Sequence, residues 1–411
     1  KGAPRKEDPF MARRFYRKCV KCGKIYDINK HIRNCECSQE GLLPFHYPEV
    51  NWDNYPDPRY KDSVWRFHEI LPLHNLEYAI DLGVKKIPLI RCNHIAEQFG
   101  LSEVYVKLDS MQPTETFKDR EAFMTLSRLR EMGYKELVGA STGDSGISHC
   151  RGAAMAGMGL HMFVPNNARE RWEELYDRMV SQDGDYNYDC VQIHYSGITF
   201  DEAIANAYAF AQKMDLPIEY WFYNQIRIEG MKTLGLEVLE DLGRAPDWYV
   251  QGLGSGTGIF SFWKGCMEVF SKSPNFGGIQ PAGCAPMVLA SRGLVEGTVG
   301  KRVVPVLDTY VIGIGIPKIF ESYPHLCRIG VTFEDVFEGG KKTEIKEFPR
   351  LLELFYADGI PRGKAGLESL AALAGVEKLA KKGMIRPDQT VVIGCTGRLR
   401  LDVPELQAEM E

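Results

Sequence analysis

Hydrophobic and polar positions follow two periods along most of the chain. Short apolar runs read as strands, and segments with apolar residues three and four apart read as helices. The clearest pair is a strand over 104–108 and a helix from 117 to about 132. Ala122, Phe123, Leu126 and Leu129 share one face of that helix. Thr116 followed by Asp119 reads as a capping box at its start. Further strands are expected at 136–140, 160–165, 190–194, 219–223, 247–252 and 390–393. Helices are expected at 201–214 and 228–242, with a small-residue helix after Ser145. Such alternation implies βαβ units. The fold class is α/β, with mainly parallel sheets flanked by helices in three layers. The stretch 41–72 is rich in Pro, Asp, Tyr and Trp and has little periodicity, so it reads as an extended linker that wraps onto the body. No apolar run reaches the ~18 residues of a membrane span, and no signal-peptide pattern is read at the start.

Composition adds bounds. At 411 residues, 44% hydrophobic and 26% charged, the chain reads as two or three globular domains. A net charge of −5 leaves no global reason to expect nucleic acid or an anionic membrane as partner. The N-terminus departs from this balance, with nine Lys/Arg against Glu7 and Asp8 between Lys1 and Lys24. It reads as a solvated basic arm, and a nucleic-acid contact is the sharper alternative. Met11 reads as a candidate start, with residues 1–10 as an extension.

The eleven cysteines are odd in number and mostly isolated in apolar surroundings, which points to reduced thiols in a cytosolic compartment. Cys19, Cys22, Cys35 and Cys37 are the exception. Their C-x2-C-x12-C-x-C spacing lets four thiolates surround one structural Zn²⁺, a folding staple with no open position for catalysis.

Chemistry is expected at loops after strands, where open α/β sheets bind ligands. Gly254, Ser255, Gly256, Thr257 and Gly258 join an expected strand to an expected helix. Glycines let a phosphate approach the backbone and the free N–H groups of the helix start. No Gly-Lys-Ser/Thr follows, so this is not a P-loop. No acidic residue ends a following strand, so a dinucleotide site is poorly supported and a single phosphate monoester fits better. Lys118 stands in the first turn of a helix beside apolar residues. The positive helix end and burial both lower its pKa, which suits a Schiff-base former or general base.

Together these residues resemble the threonine synthase family, of the tryptophan-synthase-β-like (fold type II) pyridoxal-phosphate enzymes. Gln112-Pro-Thr-Glu-Thr-Phe-Lys118-Asp-Arg120 is similar to the family's N-P-T-G-S-F-K-D-R, and Ser141-Thr-Gly-Asp-Ser145 to its S-T-G-N/D-T loop. Gly197-Ile-Thr-Phe200-Asp201, Asn224 with Arg227-Ile-Glu-Gly230-Met-Lys232-Thr233, Gln280-Pro-Ala-Gly283-Cys-Ala-Pro286 and Thr396-Gly397 resemble four further elements, in the family's order. The likeness runs from the Cys19 cluster to about Leu401.

The resemblance implies that Lys118 holds pyridoxal 5'-phosphate as a Schiff base and shuttles protons. It implies that Gly254, Ser255, Gly256, Thr257 and Gly258 cradle the cofactor phosphate, that Asp144 faces its phenolic oxygen and that Thr396 meets its ring nitrogen. Lys107, Thr116, Ser141, Thr142 and Ser145 would contact an amino-acid substrate. The reaction implied is β- or γ-elimination followed by nucleophile addition; in threonine synthase the substrate is O-phosphohomoserine and the nucleophile water. The arrangement implied is a zinc-ribbon-like module over 1–45, a large cofactor domain from 46–120 plus 246–411, and a small mobile domain over 121–245. The cofactor would lie between the latter two, and the whole would form a homodimer.

Departures from the family bear on the substrate. Glu115 replaces a glycine, Gln112 replaces an asparagine, Leu108-Asp109-Ser110 replaces D-E-G, and His149 and Arg151 stand where small residues are usual. A replacement reaction on another phospho- or acyl-amino acid, in specialised metabolism or cysteate/cysteine synthesis, is the alternative. A non-catalytic ligand sensor or nucleic-acid binder is the further one.

Overall fold

The computed structural model describes residues 14–38, 41–184, 186–219 and 221–400. The basic stretch 1–13, with Met11, and Leu401 lie outside the described residues. The chain divides into two compact units. The first holds the chain up to Lys86 together with Lys118–Thr233; the second holds Ile87–Phe117 and everything from Leu234.

The first unit opens with β1 (Tyr16–Lys18), β2 (Ile25–Tyr26) and β3 (Phe45–His46). They form an antiparallel sheet of order β2-β1-β3, the zinc-ribbon-like module. The segment that reads as an extended linker is instead a run of 3-10 turns, Trp52–Asn54, Pro58–Tyr60, Val64–Ile70 and Leu76–Tyr78. Apolar residues at the closely spaced positions 64, 65 and 67 need a tight turn to bury together, and Val64, Trp65 and Phe67 do so.

The second unit takes the next strands, β4 (Leu89–Arg91) and β5 (Glu103–Leu108), around helix α1 (Asn93–Phe99). The chain then returns to the first unit with α2 (Asp119–Glu131), β6 (Glu136–Ala140), α3 (Asp144–Ala156), β7 (Gly159–Val164) and α4 (Arg169–Gln182). β8 (Val191–Tyr195), α5 (Phe200–Met214) and α6 (Gln225–Met231) complete it. β6, β7 and β8 pair in parallel in that order.

Helix α2 carries acids in its first turn and Arg128 and Arg130 in its last, matching the helix dipole. Phe123 and Leu126 are fully buried, each contributing about 1.5–3 kcal/mol of transfer energy. At its far end Arg128 Nη2 donates to Ile28 O of the N-terminal module at 2.8 Å. Against α2 lies α6, so close that a Cβ on Gly230 would fall 2.1 Å from Arg120 O.

Three expectations are corrected here. The Thr116–Asp119 capping box does not form; α2 has Lys118 at its N-cap without a side-chain cap bond, and Thr116 Oγ1 donates to Thr396 O at 3.3 Å. A real capping box opens α5 instead, between Thr199 and Glu202. The strand expected at 219–223 is a single bridge from Ile218 to Val138, then a 3-10 turn Trp221–Tyr223 with Trp221 at φ 48°. A left-handed residue cannot continue a pleated strand. The helix expected at 228–242 is two helices, α6 and α7 (Thr233–Leu242), with Asn224 Oδ1 capping α6 from Ile226 N.

From α7 onward the second unit continues with β9 (Trp248–Gly252), α8 (Thr257–Val269), β10 (Asn275–Pro281), α9 (Pro286–Ser291) and α10 (Tyr323–Arg328). β11 (Val331–Val336), α11 (Lys341–Ala357), α12 (Leu367–Lys381) and β12 (Thr390–Cys395) follow. The sheet order is β11-β10-β9-β12-β5-β4, parallel except for β4. Its central strands β9 and β12 are buried throughout, as sheets covered on both faces require. Because these strands are parallel, the loops after β5, β9 and β12 all leave one end of the sheet. Apart from the N-terminal module, the fold is therefore α/β with two mainly parallel sheets.

Candidate active site

In the first unit the site is built on the starts of α2 and α3. Lys118 keeps 19% of its side chain exposed, and its Nζ stands 3.7 Å from Glu121 Oε2, one turn along α2. Glu121 is fully buried and receives both Nε (2.6 Å, at Oε2) and Nη2 of Arg227 from α6. Ser145 Oγ donates to Glu121 and accepts from Arg227 Nη2 at 3.0 Å. Arg227 Nη1 also donates to Glu219 at 3.0 Å, and Asn224 Nδ2 donates to the same carboxylate.

Burial pushes the Lys118 ammonium toward its neutral form; Glu121 and Asp144 oppose that, and Arg227 adds to it. Burial alone would raise the Glu121 carboxyl, but Arg227 and Lys118 outweigh it and hold it at about 2. Glu219 is pushed up by burial. The Ser141–Ser145 loop folds on itself, with Ser141 Oγ accepting from Gly143 N (3.2 Å) and Gly146 N (3.0 Å). Asp144 then begins α3, and Thr142 is half-buried beside it. His149 is buried, its Nδ1 donating to Ser145 O at 2.7 Å. Arg151 ties α3 to Asp183 (2.6 Å) and Leu82 O (2.7 Å).

In the second unit the Gly254–Gly258 loop runs from β9 into α8. Gly256 is the N-cap of α8 at φ 75°, with no side-chain cap, so the first N–H groups of the helix lack a capping side chain. A Cβ there would meet Leu326 Cδ1 at 2.6 Å and Ser322 Oγ at 2.7 Å. Ser322 Oγ is buried without a hydrogen-bond partner. A glycine-only approach, uncapped helix N–H groups and an orphan hydroxyl fit a phosphate group. Ser255 and Thr257 place their hydroxyls 3.0 Å apart in the same loop.

Thr396 follows β12 with its carbonyl held by Phe117 N (2.9 Å) and Thr116 Oγ1, while Thr116 bridges Gly397. The residues just before Lys118 are thus sewn to the Thr396 loop. Glu115, at φ 60°, puts one carboxylate oxygen 2.8 Å from Lys364 Nζ and the other 3.1 Å from Arg398 Nε. Lys107 is engaged by other partners. It is fully buried in β5, paired with Glu237 at 2.8 Å, and donates to Ile87 O.

The structure therefore brings Lys118, Ser141, Asp144 and Ser145 together in one unit, and Thr116 with Thr396 in the other. Glu121, Glu219 and Ser322 were not singled out by sequence, and Arg227 stood only within a motif, without its partner. The charge of a residue buried one turn after Lys118 was the available signal for Glu121.

The four cysteines converge in the N-terminal module. Their sulfurs lie within 4.8 Å of one another, with Cys19–Cys37 at 3.7 Å and Cys22–Cys35 at 3.5 Å. Tetrahedral Zn–S bonds of ~2.3 Å set sulfurs about 3.8 Å apart, so the cluster is compatible with a structural zinc. Lys21 N donates to Cys19 Sγ and Cys37 N to Cys35 Sγ, each at 3.4 Å, the kind of backbone bond that orients thiolates around a metal.

A parallel-sheet fold with a partly buried lysine at one helix start and a glycine loop at another defines a class. The family model described as "Pyridoxal-phosphate dependent enzyme" matches residues 80–397, and the chain belongs to that family. Among relatives it is similar to a threonine synthase of Methanocaldococcus jannaschii, 28% identical over 92% of this chain and 91% of that one. It is also similar to a cysteate synthase of Methanosarcina acetivorans, 29% identical over 62% of this chain and 59% of the other. In structure it is similar to the processed form of threonine deaminase isoform 2 from Solanum lycopersicum. That match has a TM-score of 0.63 at 20% identity, over 79% of this chain and 82% of the other. Maize serine racemase matches at 0.62 and 17%, over 79% and 91%. The neighbours share the fold type II architecture. No helix among the described residues is long and apolar enough to cross a membrane.

Proposed function

We propose that the chain catalyses β- or γ-elimination from an activated amino acid followed by addition of a nucleophile, as threonine synthase does with O-phosphohomoserine and water. The observation that carries this reading is Lys118: a lysine at a helix start, largely buried, with its ammonium disfavoured by burial and steadied by Glu121. Bound pyridoxal phosphate supplies an electron sink that acidifies the Cα–H of an attached amino acid. Lys118 holds the cofactor and moves the proton at its Nζ. Gly254, Ser255, Gly256, Thr257 and Gly258 bind the phosphate. Asp144 orients the phenolic oxygen, and Thr396 meets the ring nitrogen without enforcing its charge. Thr116, Ser141, Thr142 and Ser145 belong to the substrate side, with Lys107 supporting β5 through its ion pair.

One observation favours a second reading, replacement on an amino acid whose leaving group is not a phosphate. Glu115 already satisfies Lys364 and Arg398, two cations that a dianion would otherwise recruit.

The test is the absorption spectrum of the purified chain beside Lys118→Ala. The expected result is a visible band that borohydride removes, leaving the cofactor covalently on the peptide containing Lys118. A protein that gains no band on adding pyridoxal phosphate would end this reading. Release of phosphate from O-phosphohomoserine, against release of a leaving group from acyl-amino acids, separates the two substrate readings.

A further inference from the structure

The buried cluster around Lys118 holds more charge than cofactor attachment requires. Lys118 is faced from its own helix by Glu121, from α3 by Asp144, and from α6 by Arg227. Behind them stand His149 on α3, which acts on Glu121, and Glu219 before α6, which Glu121 pushes up in turn. Glu121 has no solvent access and every oxygen is engaged. Arg227 grips it with two nitrogens, Ser145 donates to it, and Lys118 Nζ lies 3.7 Å away. The guanidinium cannot drift, because Glu219 holds its third nitrogen and Gly230 seats α6 against the backbone of α2.

We infer that Glu121, clamped by Arg227, is a positioning residue that fixes the direction and charge state of Lys118 Nζ. A fixed anion one helical turn away gives the lysine a place to rest as an ammonium whenever it is not bonded to the cofactor. From there it can return a proton without swinging into solvent. Arg227 acts in the opposite sense: it neutralises part of Glu121's charge and keeps the ammonium from becoming too stable. The pair thus tunes the lysine by opposition. The catalytic use of this arrangement rests on the reading of Lys118 as the cofactor lysine, but the positioning itself and its test do not.

The experiment follows the labelling of Lys118 by an amine-reactive reagent across pH, read by peptide mass spectrometry on the full chain before cofactor is added. Glu121→Gln is expected to lower the midpoint of Lys118 by about one pH unit, with about tenfold faster labelling near neutral pH. Arg227→Gln is expected to move the midpoint upward. Glu121→Asp keeps the charge and is expected to restore the original midpoint, which also covers the case that Glu121→Gln does not fold. Opposite signs support the inference, since loss of packing alone would expose the lysine in both variants alike. An unchanged midpoint in Glu121→Gln, or same-sign shifts in both, would overturn it. If the midpoints move as expected but borohydride never fixes the cofactor to Lys118, the positioning role stands and the proposed function falls.

Discussion

At the scale of single residues, Glu115 is the position where local strain and charge meet. Its φ of 60° is one that a glycine adopts freely and a side chain adopts at a cost of about 1 kcal/mol. Two ion pairs, to Lys364 and Arg398, offset that cost. Glu115→Gly loses the pairs and gains the conformational freedom the turn wants, so its unfolding free energy is expected within about 1 kcal/mol of the parent. Glu115→Ala loses the pairs and keeps the strain, and is expected about 1 kcal/mol below Glu115→Gly in urea denaturation. Sequence showed that Glu115 replaces a glycine. It could not show the partners, because Lys364 lies 249 positions away. The same distance effect hid the pairing of Glu121 with Arg227, 106 positions apart. Lys118 and the glycine loop were legible because their chemistry depends on neighbours within one turn.

At the scale of elements, strands and helices with a clean local period were readable, and those set by tertiary contact were not. β6 falls on the expected residues because all but the first of its five are apolar and buried. β10 carries Gly277 and Gly278, which weaken any strand signal; parallel pairing with β9 and β11 supplies what propensity does not. The start of α8 gives a sharp expectation. A methyl at Gly256 would be strained at φ 75° and collide with Leu326 and Ser322. Gly256→Ala should cost roughly 1–3 kcal/mol and weaken pyridoxal phosphate binding more than tenfold in a spectral titration.

The N-terminal module makes another element-scale case. His31 Nε2 donates to Ile218 O at 2.8 Å, and burial lowers its pKa from 6.5 to about 4. The folded state therefore favours the neutral ring. Its contribution is full above pH 6.5 and is lost as pH falls through about 4. Hydrogen exchange of the module should accelerate over that window in the parent chain, and much less in His31→Gln.

At the scale of the whole molecule, the Cys19–Cys22–Cys35–Cys37 cluster predicts about one zinc per chain by elemental analysis. Stripping it with a strong chelator should expose four reactive thiols and lower the melting temperature of the first unit, while the sheet of the second unit is held by its own core. The bond from Arg128 to Ile28 gives this a wider meaning. The helix that starts with Lys118 is gripped at its other end by the module the metal folds. A cell short of zinc would accumulate chains whose reactive end is loosely built, and proteolysis would remove them first. Nutrient supply would then set how much working protein persists, although the metal takes no part in any bond that is made or broken.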